Sequence, residues 1–539
     1  MAVVTVDGKD IEIGATERLN CIEVARRAGV EIPHYCWHPG LSVVASCRMC
    51  LIETGTRDPA TGKVTMMPKL VPGCQTPAKD GTVIVTESAL VKESRARVEE
   101  ALLIDHPIDC PICDKAGECL LQDYHFEHGQ AERRADIHAF HSRRRDVGPT
   151  VTLFVDRCIM CTRCVRFARE VSGTSELMVI NRGAKEEIDV FPGFPLDNKL
   201  SGNVVDLCPV GALGDKDFLY QQRVWFLKRE AIVCGGCATG CSITTEHNQD
   251  SVYRLKPREN PHVNKWWMCD DGRYGWHHLH DSSRLLAAEH RSAAGSTRQT
   301  IEWPDVVTRL RDDLKGAGSL AVAVSPMLTL EEAWMLCAVA RSIDPQAFLA
   351  VGHVPTRGAD ESFPGGFTIR AEKCPNRLGV EAVVSLFDQP LHSWNDLLEH
   401  VRAGRTTAAW ITAGHPEPWI DAATAATFAD LKCLVVQDLF DSPLAQLATW
   451  RLPAAGFAER AGTWVNAGHR AQSFEQAIRA PAGVWPEGRL FWNMLGRRGL
   501  YDPVAVRQQI AESSATLAAL AGEMPATGVD LRLQQLAGA

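Results

Sequence analysis

The chain has 539 residues, 45% of them hydrophobic and 23% charged, and its formal net charge is -9. This length supplies several hydrophobic cores, and ordinary domain sizes predict three to five units. No run approaches the roughly 20 apolar residues of a membrane-spanning helix, and the first residues are typical of a strand rather than a signal peptide, so we expect a cytosolic protein unless a partner tethers it. The one basic cluster, Arg133-Arg134 with residues 143–145, lacks aromatic residues for base stacking and gives nucleic-acid binding no support.

Cysteine is distributed unevenly along the chain. Of the 19 cysteines, 16 lie in residues 1–269, and residues 270–539 contain only Cys337, Cys374 and Cys433. Disulfide frameworks are typical of small exported domains, whereas tight C-x2-C groups in a long chain indicate metal ligation in a reducing compartment. The pattern predicts metal-binding modules in the first half and a different role for the second half.

Residues 1–80 show short alternating runs at 3–6 and 11–13, a helical stretch over 20–28 and then a cysteine loop. This order predicts a β-grasp [2Fe-2S] ferredoxin-type domain. The C-x10-C-x2-C-x23-C spacing departs from the plant-type pattern, so the assignment relies on four thiolates satisfying two irons and on small and polar neighbours that let backbone N–H groups point at sulfur. The expected ligands are Cys36, Cys47, Cys50 and Cys74. Cys21 is interpreted as a buried structural thiol.

Residues 81–140 combine a helical pattern over 93–104 with the spacing H-x3-C-x2-C-x5-C. Three cysteines leave one corner of a [4Fe-4S] cluster open, and a neutral imidazole can fill it. The expected ligands are His106, Cys110, Cys113 and Cys119. His125 and His128 are competing candidates for the histidine ligand.

Residues 141–226 contain one C-x2-C-x2-C triplet and one distant Cys-Pro, which a single [4Fe-4S] cluster in a ferredoxin-like domain accounts for. The expected ligands are Cys158, Cys161, Cys164 and Cys208. The segment 165–205 is predicted to supply a helix and a hairpin, with turns at Gly173, Gly183, Gly193 and Gly202.

Residues 227–284 contain a C-x2-C-x3-C group and one later cysteine, which predict a [4Fe-4S] domain of the molybdopterin-oxidoreductase type. The expected ligands are Cys234, Cys237, Cys241 and Cys269. The glycines in the group permit close backbone approach to a cluster. Trp266 and Trp267 are positioned to exclude water, although aromatic neighbours are more often plain core packing.

Tetrahedral zinc is the alternative for each quartet taken alone, since C-x2-C pairs also form zinc sites. Cysteine triplets on one loop suit a cubane, and four successive sites without a substrate pocket between them are typical of an electron-transfer chain. The four quartets together therefore favour iron–sulfur clusters.

The first half of the chain resembles the large iron–sulfur subunit, or G subunit, of bacterial respiratory complex I, an NADH-quinone oxidoreductase. The stretches that carry the resemblance are residues 32–39, 46–51, 71–77, 105–113, 116–119, 157–165 and 206–212. The resemblance implies proton-coupled electron relay from an NADH- and FMN-binding subunit towards quinone, with a small [2Fe-2S] subunit and quinone-module iron–sulfur subunits as further partners. It also implies a peripheral location on the cytoplasmic side of the bacterial inner membrane. The fourth quartet resembles an extra cluster found in some bacterial members.

Beyond a small-residue linker at 287–296, residues 285–539 alternate apolar strands, at 320–324, 408–412 and 433–437, with helical patterns at 330–341 and 420–428. This predicts a doubly wound α/β domain, so the chain as a whole is a multidomain α+β and α/β protein. The tail resembles a shortened molybdopterin-oxidoreductase-like domain, notably at 367–371 and 458–466. We expect no molybdenum cofactor in it, and structural support is its expected role.

Three other functions fit parts of the pattern. A molybdenum or tungsten formate dehydrogenase shares such a front end, but the tail is short for two pterins, and Asp271 stands where such enzymes place a lysine. An NAD-linked hydrogenase subunit shares the first two quartets but generally lacks so large a tail. A zinc-stapled scaffold is the third alternative. No G-x-G-x-x-G or G-x4-G-K-[ST] motif follows a strand, so nucleotide binding is assigned to a partner, and no catalytic residues are predicted on this chain.

Overall fold

The computed structural model describes residues 1–132, 134, 135, 137, 144–183, 185–292 and 296–532. Arg133 and Arg143 of the basic cluster, and the predicted boundary between residues 140 and 141, lie outside these ranges. The chain divides into two compact units, Met1–Phe226 with Phe363–Gly366, and Leu227–Ser362 with Phe367–Ala539. The five-domain division is finer than these two units and stays a prediction. Within the described ranges, no helix has the length and apolar character of a membrane span.

The first unit begins with a mixed six-stranded sheet. Its strands lie in the order Lys9–Ile13, Ala2–Val6, Thr82–Val85, Leu51–Arg57 and Val64–Met66, and Val71–Pro72 pairs with Leu51–Arg57. Ala2–Val6 and Thr82–Val85 run parallel, and the helix Cys21–Arg27 buries Ile22 and Val24 in the core of this sheet. Asn20 and Glu23 form a capping box that fixes the start of the helix. The predicted β-grasp arrangement is confirmed.

The rest of the first unit is built from short elements around the second and third cysteine groups. Two longer helices flank the second group, Ala89–Asp105 and Leu120–His128. A three-stranded sheet and a hairpin follow, with the strands Arg145–Asp146, Val151–Leu153 and Leu213–Asp215, and then Leu177–Ile180 and Glu187–Val190. The helical segments here are Val155–Arg157, Arg163–Phe167, Ala168–Ser172, Asn203–Leu207 and Val224–Phe226. Gly202 lies in the turn that precedes the helix Asn203–Leu207, as expected, and its backbone has right-handed helical angles.

The second unit opens with a three-stranded antiparallel sheet, Lys228–Val233, Ser242–Asn248 and Ser251–Pro257, followed by the helical segments Asp270–Tyr274 and His277–His280. A seven-stranded sheet forms its centre. The strands lie in the order Gln299–Thr300, Glu289–His290, Trp450–Pro453, Cys433–Asp438, Ala408–Thr412, Leu320–Val324 and Phe348–Val351. The last five strands are parallel. Numbered in chain order and read from the edge strand Phe348–Val351, they lie in the order 2-1-3-4-5, which is a doubly wound arrangement.

Helices cover both faces of the parallel sheet. Along Leu320–Val324, Val322 and Val324 join one apolar cluster, while Ala321 and Ala323 join the other. The helices of the unit are Trp303–Ala317, Leu330–Ile343, Arg377–Val384, Trp394–Arg402, Ala422–Ala425, Ala426–Phe428, Pro443–Leu447, Glu487–Met494, Pro503–Ser513 and Ala515–Leu520. The remaining strands are Glu361–Ser362 with Thr368–Ile369, and Gly462–Val465, Arg470–Phe474 and Val529–Asp530. The predicted doubly wound domain is confirmed.

The helix expected over 420–428 begins at Ala422, where Asp421 caps it by accepting from the backbone N–H of Thr424, and it ends in a 3-10 turn, Ala426–Phe428. One sequence expectation for this unit needs correction. The linker expected over 287–296 contains the strand Glu289–His290, which pairs with Trp450–Pro453 at the sheet edge.

Glu331 is a fully buried carboxyl group in the core of the second unit, and it accepts hydrogen bonds from Thr463 N and Oγ1 at 2.8 and 2.7 Å. Burial raises the pKa of Glu331 to about 7. The folded state therefore keeps a proton that the unfolded state loses between about pH 4.5 and 7, so wild-type stability falls as pH rises through that window.

We expect Glu331→Gln to remove this pH dependence, because the amide keeps an acceptor for Thr463 N–H and does not ionise. The free energy of unfolding of the variant, relative to that of wild type, should rise by about 2 kcal/mol between pH 5 and pH 8. Calorimetric unfolding at the two pH values measures the difference, with the exposed Glu399→Gln as the matched control. A difference from wild type that is equal at both pH values would contradict the expectation.

Candidate metal centres

The first cysteine group lies in two loops of the β-grasp sheet. Three of its cysteines precede the strand Leu51–Arg57 and the fourth follows Val71–Pro72. Cys36, Cys50 and Cys74 are at most 1% exposed. Hydrogen bonds from Cys47 and Cys74 lower the pKa of the Cys36 thiol, and the Cys36 backbone N–H lies 3.5 Å from the Cys47 sulfur. The structure thus brings all four predicted ligands together with amide groups aimed at sulfur, as a [2Fe-2S] site needs.

The second group occupies the connection between the helices Ala89–Asp105 and Leu120–His128. Cys119 is the N-cap residue of the second helix, and its thiol pKa is raised to about 11 by burial. Burial also raises the pKa of Cys113, with the charges of Cys110 and Asp114 adding to it. The three cysteines therefore lie near one another in a partly desolvated loop.

His106 is the C-cap residue of the helix Ala89–Asp105, and burial lowers the pKa of its ring, which keeps the imidazole neutral. Its Nδ1 is buried and has no hydrogen-bond partner in the described part of the chain, as a metal-ligating nitrogen would be without its metal. His125 Nδ1 shares this property, whereas His128 Nε2 lies 3.5 Å from Glu127. Arg157 interacts electrostatically with both His106 and Cys113, so these two proposed ligands lie near the same cation.

The third group surrounds an enclosed apolar cavity of about 20 Å³ whose lining includes all four predicted ligands. Cys164 lies on the helix Arg163–Phe167, and Cys208 ends the helix Asn203–Leu207. Burial raises the thiol pKa of Cys158 to about 12 and of Cys161 to about 11. Leu153, Ile188, Val210 and Leu213 complete the apolar wall. Residues 44 positions apart in the sequence thus converge on one dry site, since Cys164 and Cys208 face the same cavity.

The fourth group lies at a hairpin tip in the second unit. Cys234, Cys237 and Cys241 connect two antiparallel strands, and the Cys234 N–H donates to the Cys241 carbonyl at 2.9 Å. Cys269 begins the helix Asp270–Tyr274, and its sulfur accepts the Gly272 N–H at 3.3 Å. Burial raises the pKa of Cys234 to about 12 and raises those of Cys241 and Cys269 well above the usual value.

The α/β domain holds this hairpin tip in place through backbone contacts. Ala467 N–H donates to the Ala238 carbonyl at 2.8 Å, and the side chains of Asn466 and Gln472 donate to the carbonyls of Thr239 and Gly240 at 2.9 and 2.7 Å. Trp267 is 2% exposed beside the group. The tail thus supports the loop that carries three of the predicted ligands.

The donor chemistry of all four groups fits iron–sulfur clusters. Buried thiols with raised pKa values stay protonated on their own and need a bound cation to become thiolates. Within the described residues, no three His, Cys, Asp or Glu side chains are arranged to hold a single metal ion. A [2Fe-2S] cluster takes two cysteines per iron and a [4Fe-4S] cluster takes one ligand per iron, so neither requires three ligands on one ion.

Sequence reasoning missed residues that support these groups. Gly211 approaches the second group, and Arg163 and Arg166 lie buried between segments of the first and third groups. The sequence shows the arginines only as cations on either side of Cys164, because their contacts involve residues more than 120 positions away. The sequence around Gly211 does not indicate that this residue lies near the second cysteine group, since it only follows Cys208-Pro209.

Comparisons with known proteins match four families in chain order. Residues 2–89 match a 2Fe-2S iron-sulfur cluster binding domain, and residues 95–134 match the NADH-ubiquinone oxidoreductase-G iron-sulfur binding region. Residues 148–214 match the NADH-quinone oxidoreductase subunit 3 ferredoxin-like domain, and residues 290–486 match molybdopterin oxidoreductase. The fourth cysteine group lies between the last two matches.

Curated relatives include subunits of NADH oxidoreductases. The chain is 34% identical over 343 residues to the G subunit of NADH-quinone oxidoreductase from Rickettsia felis, covering 62% of this chain and 48% of that protein. It is 40% identical over 276 residues to the NADH-ubiquinone oxidoreductase 75 kDa subunit of Reclinomonas americana, covering 51% and 38%. A solved NAD+-reducing [NiFe]-hydrogenase shares 27% identity, covers 41% of this chain and 91% of its own, and gives a TM-score of 0.34, too low to establish a common overall fold.

The chain is therefore a multidomain protein with 2Fe-2S and 4Fe-4S cluster-binding domains. Its similarity to the G subunit of NADH-quinone oxidoreductase, expected from its motifs, is confirmed. The chain spans about half the length of the curated relatives it matches.

The family match of the tail raises the question of a bound pterin. Ligands of doubly wound sheets bind outside the carboxyl ends of the strands, at the point where strand order reverses. The pocket at that point, lined by Met327, Gly414 and Phe457 together with residues of the fourth cysteine group, holds about 40 Å³. Small-molecule sites are typically about 300–1,000 Å³, so this pocket by itself is too small for a pterin cofactor.

Gly211 offers a test of the second group. A Cβ built on Gly211 would lie 2.2 Å from the Cys113 sulfur, and the easiest relief is rotation of Cys113 away from its place. We expect Gly211→Ala to lower the iron content by roughly four irons per chain, measured by elemental analysis of the purified full chain. Gly316→Ala is the matched control, because its Cβ meets nothing within 4 Å. Unchanged iron in Gly211→Ala would contradict the placement of Cys113 as a ligand.

Proposed function

We propose that this chain is the large iron–sulfur subunit of a bacterial proton-translocating NADH:quinone oxidoreductase. Its sixteen proposed ligands hold one [2Fe-2S] and three [4Fe-4S] clusters. The [2Fe-2S] cluster binds Cys36, Cys47, Cys50 and Cys74. The three [4Fe-4S] clusters bind His106, Cys110, Cys113 and Cys119, then Cys158, Cys161, Cys164 and Cys208, and finally Cys234, Cys237, Cys241 and Cys269.

The observation that carries the proposal is direct contact between the ligand segments of the first unit. The Leu120 N–H, next to Cys119, donates to the Pro209 carbonyl, next to Cys208, at 2.9 Å. The Arg166 guanidinium donates to the carbonyls of both Cys36 and Cys161, at 2.5 and 3.2 Å. Segments of three groups therefore pack on one another, which is the arrangement electron transfer between neighbouring centres requires.

The protein residues supply the conditions for electron transfer. Bound clusters would accept and release single electrons at these sites. The apolar walls exclude water, the backbone N–H groups donate to sulfur, and the ligand loops are fixed by hydrogen bonds, which together set how readily a centre is reduced. The α/β domain contributes the contacts that fix the fourth ligand loop.

Membership of a larger complex completes the proposal. The partners are the NADH- and FMN-binding subunit, a small [2Fe-2S] subunit and the iron–sulfur subunits of the quinone module. In this assembly the chain lies peripherally on the cytoplasmic side of the inner membrane. NADH oxidation and quinone reduction take place on the partner subunits.

Complementation tests the function. In a strain from which the gene is deleted, we expect the full chain to restore NADH-driven quinone reduction by isolated membranes. We expect Cys161→Ser to restore less than a tenth of it, because a ligand of the third cluster is lost. Cys337→Ala, a buried cysteine outside the four groups, is the control and should restore activity. Full activity with Cys161→Ser, or none with the wild-type chain, would refute the proposal.

A further inference from the structure

Two arginines on one short helix are buried in the first unit. Arg163 is 6% exposed and Arg166 is 4% exposed, and both belong to the helix Arg163–Phe167 that carries Cys164. A guanidinium stays charged at all ordinary pH values, so its burial is unfavourable unless neighbouring groups compensate for the lost hydration. The neighbours of these two cations therefore indicate what they are for.

The hydrogen-bond partners of both side chains are backbone carbonyls from two ligand groups. Arg163 donates to the carbonyl of Trp37, next to Cys36, at 2.5 Å, and to that of Leu207, next to Cys208, at 3.2 Å. Arg166 donates to the carbonyls of Ser42, Cys36 and Cys161. Each arginine thus connects the [2Fe-2S] loop to a segment of the third group.

The charge of these arginines has no carboxylate beside it. In the part of the chain that the structure describes, neither guanidinium forms an ion pair with Asp or Glu, and the Nε of each lacks a hydrogen-bond partner. The acidic groups that interact electrostatically with Arg163 are Cys161, Tyr124, Cys208 and Cys36. Three of these four are proposed cluster ligands, from two different quartets.

We propose that Arg163 and Arg166 are positioning residues that supply the counter-charge shared by the first and third clusters, and that they raise the reduction potentials of both. The inference rests on the proposed function. A cluster with four thiolates carries net negative charge, and reduction adds one electron without breaking or forming a bond to the protein. A nearby fixed cation favours the more negative state, so reduction becomes easier at both centres.

Two substitutions of Arg166 separate charge from hydrogen bonding. Arg166→Met removes the charge and keeps much of the volume, while Arg166→Lys keeps the charge and loses the planar set of donors. Arg169→Met is the matched control, because the Arg169 side chain is 61% exposed and pairs with Glu170. All variants are made in the full chain, and clusters are titrated with dithionite and followed by electron paramagnetic resonance.

We expect Arg166→Met to lower the midpoint potentials of the first and third clusters together. At the wild-type midpoint the ratio of reduced to oxidised cluster should fall about tenfold, since a buried unit charge acts through an effective dielectric of about 20. Tenfold corresponds to about 59 mV for a one-electron couple. Arg166→Lys should stay within about threefold of wild type, and Arg169→Met should not differ from it.

The outcomes distinguish the proposed function from the shared counter-charge. A wild-type chain without signals from these clusters would overturn the proposed function and this inference together. Wild-type signals with unmoved potentials in Arg166→Met, or equal lowering in Arg166→Lys and Arg166→Met, would overturn this inference alone. If Arg166→Met loses either cluster, the Arg166→Lys variant is the test. Midpoint potentials of the first and third clusters that stay at the wild-type values in Arg166→Lys support a shared counter-charge, and lowered potentials refute it.

Discussion

The structure depends on keeping cysteine sulfurs out of water while they carry negative charge. Eleven of the fifteen proposed cysteine ligands are buried. Burial and the proximity of neighbouring sulfurs raise most of the resolved thiol pKa values, so a dry quartet of thiolates is unstable by itself. A positive iron core removes that conflict, and folding of each loop is then coupled to cluster binding. The rest of the fold positions the four ligand groups for cluster binding.

The scaffold meets this requirement by different means in the two units. In the first unit, short helices and loops pack directly on each other, and buried arginines span the segments around Cys36 and Cys161. In the second unit, a large doubly wound domain supplies the contacts, with residues 466–472 fixing the backbone of 238–240.

The fold class could be predicted from the sequence because the patterns that define strands and helices are local. Cysteine spacing marked each quartet, and apolar runs such as 320–324 and 408–412 became parallel strands at the expected bounds. The sequence did not show that Glu289–His290 would close a sheet edge, since two residues carry no periodic signal. It was equally silent on Arg163 and Arg166, because their roles depend on carbonyls brought together only by folding.

Metal analysis of the intact chain tests most directly whether the four cysteine groups bind iron–sulfur clusters. Iron, acid-labile sulfide and zinc are measured on the same anaerobically purified 539-residue chain. One two-iron site and three four-iron sites give about 14 irons per chain, with an equal amount of sulfide and little zinc. Near-stoichiometric zinc at these sites, with little iron or sulfide, would contradict the binding of iron–sulfur clusters.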